Sequence, residues 1–282
     1  MSDPLNFKLD ALLPAEIAQR ASEIGVKKAN LNFINMFVLA VLAGAFISLG
    51  ALFATITYTG AGAGLPYGVG RLLFGLTFGL GLILVVLAGA ELFTGNALIT
   101  LAWASGKVSL GALARNWAIV YFGNFVGSVL TAVLVFLANE QSAGGGAVGA
   151  MALTIANSKT QIAFLPAVAS GILCNALVCL AVWLTLGART SADKILAIIF
   201  PITAFVAAGF EHSVANMYFI PSGLLIKTFD PVLAASLNLD LHSLTIGGFI
   251  NNLIPVTIGN IIGGGIMVAL VYWFVYLRGK QA

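Results

Sequence analysis

The sequence predicts an all-α membrane protein with six transmembrane helices, of which the second and fifth are broken by loops. Three observations predict this fold class: a very apolar composition, six long intervals with few or no charges, and one polar motif that occurs twice. Of the 282 residues, 60% are hydrophobic and 8% are charged, and the mean hydropathy is +1.04. A soluble domain of this composition would lack the polar residues needed to cover its surface, so the chain belongs in a bilayer.

The spans are predicted from the intervals between charged residues. A membrane helix needs roughly 20 apolar residues, because hydrocarbon is about 30 Å thick and an α-helix rises about 1.5 Å per residue. Six intervals are long enough, namely 29–70, 72–106, 116–139, 160–188, 195–226 and 243–277. Glu91 interrupts the second interval, and Glu211 with His212 interrupts the fifth, so these two spans are expected to be broken.

The basic residues predict the orientation of the chain. Six spans place both termini on one side, and Lys and Arg are enriched in cytoplasmic loops. Ten of the 13 basic residues fall on the side of the termini: Lys8, Arg20, Lys27, Lys28, Lys107, Arg115, Arg189, Lys194, Arg278 and Lys280. The other three, Arg71, Lys159 and Lys227, fall on the opposite side. Both termini are therefore expected in the cytoplasm.

The chain divides into three predicted parts. Residues 1–28 are predicted to form an amphipathic cytoplasmic helix or arm, because acids and bases surround the apolar positions of LLPAEIAQRASEI. This stretch has no signal-peptide n-region or cleavage site. Residues 29–278 are predicted to form a single six-span domain, and residues 279–282 a cytoplasmic tail.

Two octets of the form GxExxxxN mark an internal repeat. GAELFTGN, residues 89–96, corresponds to GFEHSVAN, residues 209–216, and GNxxG follows in the third and sixth spans. Repeat one covers about 29–139 and repeat two about 160–278. Because each repeat holds three spans, the second is inverted relative to the first, an arrangement typical of transporters and channels.

The two breaks are expected to meet near the bilayer midplane. Helix starts there would present unpaired N–H groups and a positive dipole end, which favour anions. Gly89, Gly95 and Gly209 are interpreted as supplying the conformational freedom for the breaks. Glu91 and Glu211 are interpreted as accepting N–H bonds that hold the loops folded, since broken backbone cannot face lipid.

His212 has no counterpart in the first octet, where Leu92 takes its place. An ionisable group at a helix break inside a membrane is a functional candidate, and imidazole, with an unperturbed pKa of about 6.5, can exchange a proton with a weak acid. Asn175 could bond to a loop or to the histidine. Asn124 and Asn260 are interpreted as helix-packing residues within their GNxxG stretches.

Other chemistry finds no support in the sequence. There is no HExxH, GxSxG, Walker or CxxC motif and no cluster with metal-ligand spacing, so neither an enzyme nor a cofactor nor a metal is predicted. Cys174 and Cys179 are interpreted as small core residues without a redox role. The net charge of +3 lies mostly on inner loops and predicts contact with anionic lipid rather than nucleic acid.

The stretches GAELFTGN, YFGN, GFEHSVANMYFIP and NLIPVTIGNIIGGG resemble the formate/nitrite transporter family over residues 10–278, most closely its bacterial formate channels. The resemblance implies an aquaporin-like fold and a homopentamer in the bacterial inner membrane, with one pore per protomer. It implies that His212 is the central pore residue, with Thr94 and Asn175 as hydrogen-bonding neighbours.

The resemblance also implies roles for other residues. Phe78 and Phe205 would form one apolar constriction and Leu82 would belong to the other, while Lys159 would lie at the outer vestibule. The loop-supporting residues would be Glu91, Asn96, Glu211, Asn216 and Asn260.

The function expected from the residues and the resemblance is passive, pH-dependent transport of formate and other small monovalent anions. A nitrite or hydrosulfide channel on the same scaffold is the alternative. A non-conducting membrane scaffold is a remote one, because it would leave a buried histidine and paired helix breaks without a purpose.

Overall fold

The computed structural model describes residues 11–280, and every regular element in that range is helical. The α-helices are α1 (Pro14–Ala29), α2 (Phe33–Tyr58), α3 (Ala61–Gly64), α4 (Tyr67–Ala88), α5 (Phe93–Asn96), α6 (Thr100–Ala104), α7 (Leu110–Leu137), α8 (Ala147–Thr160), α9 (Phe164–Gly187), α10 (Ser191–Ala208), α11 (Ser213–Phe229), α12 (Pro231–Ser236), α13 (Ile246–Ile261) and α14 (Val271–Tyr276). A π-helix, Ile262–Leu270, joins α13 to α14, and short 3-10 turns occupy Ala97–Ile99, Glu140–Ser142 and Arg278–Lys280. The predicted all-α class is confirmed.

Within residues 11–280, six helices are long and apolar enough to cross a membrane. They are Phe33–Tyr58, Tyr67–Ala88, Leu110–Leu137, Phe164–Gly187, Ser191–Ala208 and Ile246–Tyr276. The second crossing stops at the end of α4 and resumes in α5 and α6. The fifth stops at the end of α10 and resumes in α11. Six spans with the second and fifth broken is therefore the observed architecture, as the sequence predicted.

The two breaks have the same local cause. Gly89 and Gly209 have φ angles of 81° and 79°, the left-handed region in which glycine meets no steric penalty, and each caps the helix that it ends. Leu92 and His212 are then extended and lead into the next helix. Gly95 differs, because it lies inside the helical turn of α5, so its expected part in the break is not observed.

The breaks are surrounded by other helices. α4 packs against α2 and α10, α2 against α7, and α9 against α10 and α13, while α11 contacts α7 and α8. Glu91, Thr94, Glu211 and His212 are all buried. The non-helical backbone is thereby kept away from lipid, which has no groups to hydrogen-bond with it. Large apolar side chains such as Leu137 and Phe200 point outward instead.

Helix α1 contacts α6 and α14, so the two described ends of the chain lie at the same face of the bundle. We call this the terminal face and mark it by Lys28 of α1. The opposite face, marked by Lys159 of α8, is the distal face. The predicted division into arm, six-span domain and tail, with its repeat boundaries, stays a prediction, and residues 1–10 and 281–282 lie outside the described range.

Candidate functional site

The two breaks meet through one hydrogen bond. Thr94 Oγ1, in the first turn of α5, lies 2.8 Å from Nε2 of His212, the residue that caps α11. Neither side chain is open to the surface, since Thr94 is 0% exposed and His212 is 3% exposed. The imidazole therefore points into protein and joins the interruption of the second span to that of the fifth.

The second ring nitrogen of His212 fixes which nitrogen carries the proton. Nδ1 accepts the backbone N–H of Ala215 at 3.0 Å, so in the neutral ring the proton is on Nε2 and is donated to Thr94 Oγ1. The Thr94 hydroxyl hydrogen then remains for another acceptor. The ring also stacks on Phe205, with centroids 6.0 Å apart and planes 28° apart.

A buried carboxylate organises the first loop. Glu91 accepts Lys28 Nζ at 2.7 Å and Asn96 Nδ2 at 2.7 Å. The same Asn96 nitrogen donates to Asn116 Oδ1 at 2.9 Å, and Asn116 Nδ2 donates to the carbonyl of Lys28 at 3.1 Å. A lysine, a glutamate and two asparagines thus form a closed network on the terminal side.

The second loop carries the same network on the distal side. Glu211 accepts Lys159 Nζ at 2.7 Å and Asn216 Nδ2 at 2.6 Å. Asn216 Nδ2 also donates to Asn252 Oδ1 at 2.7 Å, and Asn252 Nδ2 donates to the carbonyl of Lys159 at 2.8 Å. In both networks a buried carboxylate is paired with one ammonium group, so neither loop adds net charge to the centre.

Asn124 and Asn260 connect the loops to the third and sixth spans. Each donates to the carbonyl of the loop glutamate in its own copy, at 2.9 and 3.0 Å. Each side-chain oxygen accepts the first N–H of the following helix, from Phe93 and from Ser213, both at 2.9 Å. The expectation of unpaired N–H groups is therefore wrong at these two positions, and the two asparagines do more than pack helices.

Asn175 bonds to a loop and not to the histidine. Its Nδ2 donates to the carbonyls of Thr94 at 3.1 Å and Asn260 at 2.6 Å. One turn further along α9, the Cys179 thiol donates to the same Thr94 carbonyl at 3.3 Å. Helix α9 thus holds the backbone of Thr94, whose hydroxyl faces His212. Cys174 is buried in the core beside them.

Two cavities flank the centre. The distal cavity, of about 140 Å³, is lined by His212, Lys159, Arg71, Phe78 and Phe205 among others. Phe78 and Phe205 touch edge to face there, with ring centroids 5.8 Å apart.

The terminal cavity, of about 260 Å³, is lined by Lys28, Glu91, Asn96 and Leu82 among others. The resemblance assigned Phe78 and Phe205 to one constriction and Leu82 to another. In the structure, Phe78 and Phe205 line the distal cavity and Leu82 lines the terminal cavity. Each cavity has room for several water-sized molecules.

Several residues of the site are not predicted from the sequence. Lys28 and Arg71 contribute there only to the charge balance between the two faces, and nothing in the predicted motifs includes Asn116 or Asn252. The asparagines left a detectable signal, because each lies eight positions before the asparagine of its GNxxG stretch (124 − 116 and 260 − 252). Cys179 left none, since its contact with Thr94 spans 85 positions.

The site offers hydrogen-bond donors and acceptors at its centre and a paired charge on each side of it. Within residues 11–280 no group of three or more His, Cys, Asp or Glu side chains could hold a metal ion. The centre consists of two polar side chains, Thr94 and His212, with apolar walls and a lysine–glutamate pair on each side. Such an arrangement can bind a small polar solute transiently.

The chain is similar to known membrane channels in sequence. Residues 15–274 match the family described as Formate/nitrite transporter. The formate channel FocA of Escherichia coli strain K12 is 46% identical over 274 residues, covering 95% of this chain and 96% of that protein. The formate channel FocA of Haemophilus influenzae is 40% identical over 271 residues, covering 92% and 93%.

Solved structures agree. A pentameric formate channel with formate bound superposes with a TM-score of 0.81 at 45% identity, covering 87% of this chain and 98% of that one. An ion channel of the same family superposes with a TM-score of 0.80 at 30% identity, covering 92% and 98%.

Proposed function

The chain belongs to the formate/nitrite transporter family, and we propose that it passively transports formate and other small monovalent anions across the bacterial inner membrane in a pH-dependent manner. The observation that carries this proposal is the buried hydrogen bond between Thr94 and His212, which lies between a cavity lined by Lys159 and a cavity lined by Lys28. Small-anion passage needs polar donors at the point where the solute is farthest from water. No bond-breaking step is proposed.

The walls and the centre have opposite effects on an anion. Phe78, Phe205 and Leu82 offer no hydrogen bonds, so a solute that passes them loses water, at a cost that is large for a bare charge. The Thr94 hydroxyl compensates part of this cost by donating to the anion. We place the substrate in transit at this hydroxyl, against the imidazole of His212.

The hydrogen bonds of His212 couple its proton to the anion. A second ring proton would have to sit on Nδ1, which would remove the acceptor of the Ala215 N–H. An imidazolium is therefore favoured only while an anion lies beside it. A proton taken up from solution first converts the ring to the imidazolium. Formate at the centre then takes one ring proton and leaves as formic acid, and the histidine is neutral again. The direction of net flux follows the gradients of formate and protons.

In the assembled protein we expect five protomers, each with its own pore. The apolar side chains on the outside of the bundle suit contact with lipid and with neighbouring protomers. We further propose that the terminal face is cytoplasmic, since ten of the 13 basic residues belong to that side by the predicted order of spans.

The orientation can be tested by thiol labelling, because Cys174 and Cys179 are both buried. The variants Gln161→Cys, in the loop between α8 and α9, and Lys107→Cys, between α6 and α7, place an exposed thiol on each face. In intact cells a membrane-impermeant maleimide should label only the cysteine at 161. Labelling only at 107 would reverse the proposed orientation.

Transport is tested by reconstitution into liposomes. Formate imposed on one side should equilibrate much faster with protein than in protein-free vesicles, at pH values where almost all formate is the anion. Nitrite added as a competitor decides the second candidate, because a nitrite channel on this scaffold would favour nitrite over formate. Pentamers without anion flux would contradict the proposal and favour a scaffold.

A further inference from the structure

We propose that Arg71 recruits the anion in the distal cavity, and that it makes half-saturation by formate occur at a lower concentration from the distal face than from the terminal face. The inference rests on the proposed transport function and identifies a residue that neither the repeat motif nor the central hydrogen bond includes. It follows from the position, bonding and charge of this side chain.

Arg71 lines the same cavity as His212 and is held in a fixed orientation. Its Nε donates to the carbonyl of Ala207 at 2.9 Å and its Nη2 to that of Val206 at 2.6 Å. The guanidinium carbon lies 5.4 Å from the ring centroid of Phe74 and 5.8 Å from that of Tyr58. Arginine has five N–H donors, so these two bonds leave three for a solute.

The charges in the cavity single out this residue. Among the residues that the structure describes, three with charged side chains line the distal cavity: Arg71, Lys159 and Glu211. Lys159 is paired with Glu211 at 2.7 Å, so the two charges largely cancel. Within residues 11–280, the Arg71 side chain donates hydrogen bonds only to uncharged carbonyls. The positive charge that an incoming anion meets is therefore that of Arg71, whereas the resemblance alone pointed to Lys159.

The terminal cavity carries no corresponding charge. Its charged lining residues in the described part of the chain are Lys28 and Glu91, which form a pair at 2.7 Å. The lining side chains thus sum to one positive charge in the distal cavity and to zero in the terminal one. An anion should bind more tightly on entering from the distal side.

Arg71 also reverses the sign of a helix end. The carbonyls of Val206 and Ala207 belong to the last turn of α10, and a helix C-terminus carries roughly half a negative charge. Without a cation these carbonyls would repel an anion in the cavity. The arginine satisfies two of them and leaves a positive surface facing the solute.

A purely structural role, in which Arg71 only caps α10, makes a different prediction that two variants distinguish. Arg71→Gln keeps a donor for the carbonyls and loses the charge. Arg71→Lys keeps the charge and loses the forked geometry. If capping were the whole role, the two variants would behave alike. If the charge recruits the anion, the lysine variant should resemble the wild type and the glutamine variant should not.

The experiment measures the formate concentration that half-saturates uptake, separately from each face, in right-side-out and inside-out membrane vesicles. For Arg71→Gln we expect the distal value to rise about tenfold, from the loss of one nearby charge in a partly buried site. The terminal value and the pentamer should stay near wild type. Because transport is passive, the permeability at low formate is the same in both directions for any variant, so it cannot distinguish the two faces. The half-saturating concentration can differ between the faces and is therefore the quantity to compare.

Ionic strength supplies a second readout that needs no variant. Salt screens a charge that solvent reaches, as it reaches the partly buried Arg71, so the distal half-saturating concentration of the wild type should rise with salt more than the terminal one. Equal salt responses at both faces would overturn the inference, as would an Arg71→Gln variant with an unchanged distal value. Wild-type vesicles that carry no formate at all would instead overturn the proposed function, and this inference with it.

Discussion

Thr94 Oγ1 and His212 Nε2 lie 2.8 Å apart although their residues are 118 positions apart in the chain. Each belongs to a different broken helix, and each is held from behind: the Thr94 carbonyl by Asn175 and the His212 ring by the Ala215 N–H. The bond therefore forms only when both loops are correctly placed. Substitutions at either residue should reduce transport more than they reduce stability.

Removing the hydroxyl of Thr94 should impair transport. Thr94→Val keeps the shape but leaves the Nε2–H of His212 without an acceptor and the anion without its donor, so we expect formate flux in liposomes to fall at least about tenfold. Thr94→Ser keeps the hydroxyl and is the matched control, with flux within a few-fold of wild type. Equal fluxes for the two variants would show that the hydroxyl is not used.

The proton-carrying role of His212 can be separated from its capping role. Asparagine is a good N-cap and can accept the Ala215 N–H, but it does not titrate. His212→Asn should therefore keep the wild-type melting temperature in detergent and lose the increase of formate flux on acidification. His212→Phe should lose both, with a stability loss of about 1 kcal/mol from the missing cap. A His212→Asn variant that kept the wild-type pH response would exclude a proton role for the imidazole.

Adding one methyl group at Gly264 of the π-helix should displace side chains that hold Thr94 in position. A Cβ at Gly264 would lie 2.6 Å from Cys179 Sγ and 2.7 Å from the Cβ of Ala97. Gly264→Ala should displace the α9 side chains that hold Thr94, lowering stability by about 1–3 kcal/mol and reducing formate flux. The neighbouring Gly265→Ala is the control, because its Cβ would meet only Thr100 Oγ1 at 3.3 Å. Similar melting temperatures for the two variants would contradict this account.

Breaking one lysine–glutamate pair should cost more than removing both charges. Lys159 and Glu211 have side chains only 14% and 4% exposed, so Lys159→Met leaves a buried carboxylate uncompensated, at a cost of about 3–5 kcal/mol. The double variant Lys159→Met with Glu211→Gln should recover most of this stability, as measured by thermal unfolding of the purified pentamer.

The corresponding substitution at the first loop, Lys28→Met, tests whether the loss of stability depends on how deeply the pair is buried. Lys28 is more exposed, at 29%, so solvent screens the charge that Lys28→Met leaves behind and the loss should be smaller. If the two single variants were equally unstable, burial would not be the reason for the cost.

The features that the sequence could predict are those written in local patterns. The breaks follow from a glycine and a glutamate inside otherwise uncharged intervals, and the repeated octet relates one break to the other. The isolated position of His212 was enough to select it. Each of these signals is contained in a stretch of about eight residues, and over so short a distance the spacing of residue types is enough to predict the local backbone.

The features that were missed depend on distant pairs. Lys28 reaches Glu91 across 63 positions, and Arg71 reaches Val206 across 135. Nothing near Arg71 in the chain indicates that it will meet the end of α10. Only the packing of α4 against α10 brings them together. Likewise, cancellation of the Lys159 charge by Glu211 cannot be seen from composition, so the charge balance of each cavity required the folded structure.

The carbonyl of Thr94, from the second span, is held by two side chains of the fourth span, and Arg71 is anchored on the end of the fifth. On the ribosome, the first three spans emerge before any of these partners exists. The nascent first half thus enters the membrane with a broken helix whose polar backbone is only partly satisfied. The Thr94 carbonyl gains its partners only once translation has passed Cys179, so a polypeptide truncated before that point should be degraded by membrane proteases and should not accumulate as a stable half-channel.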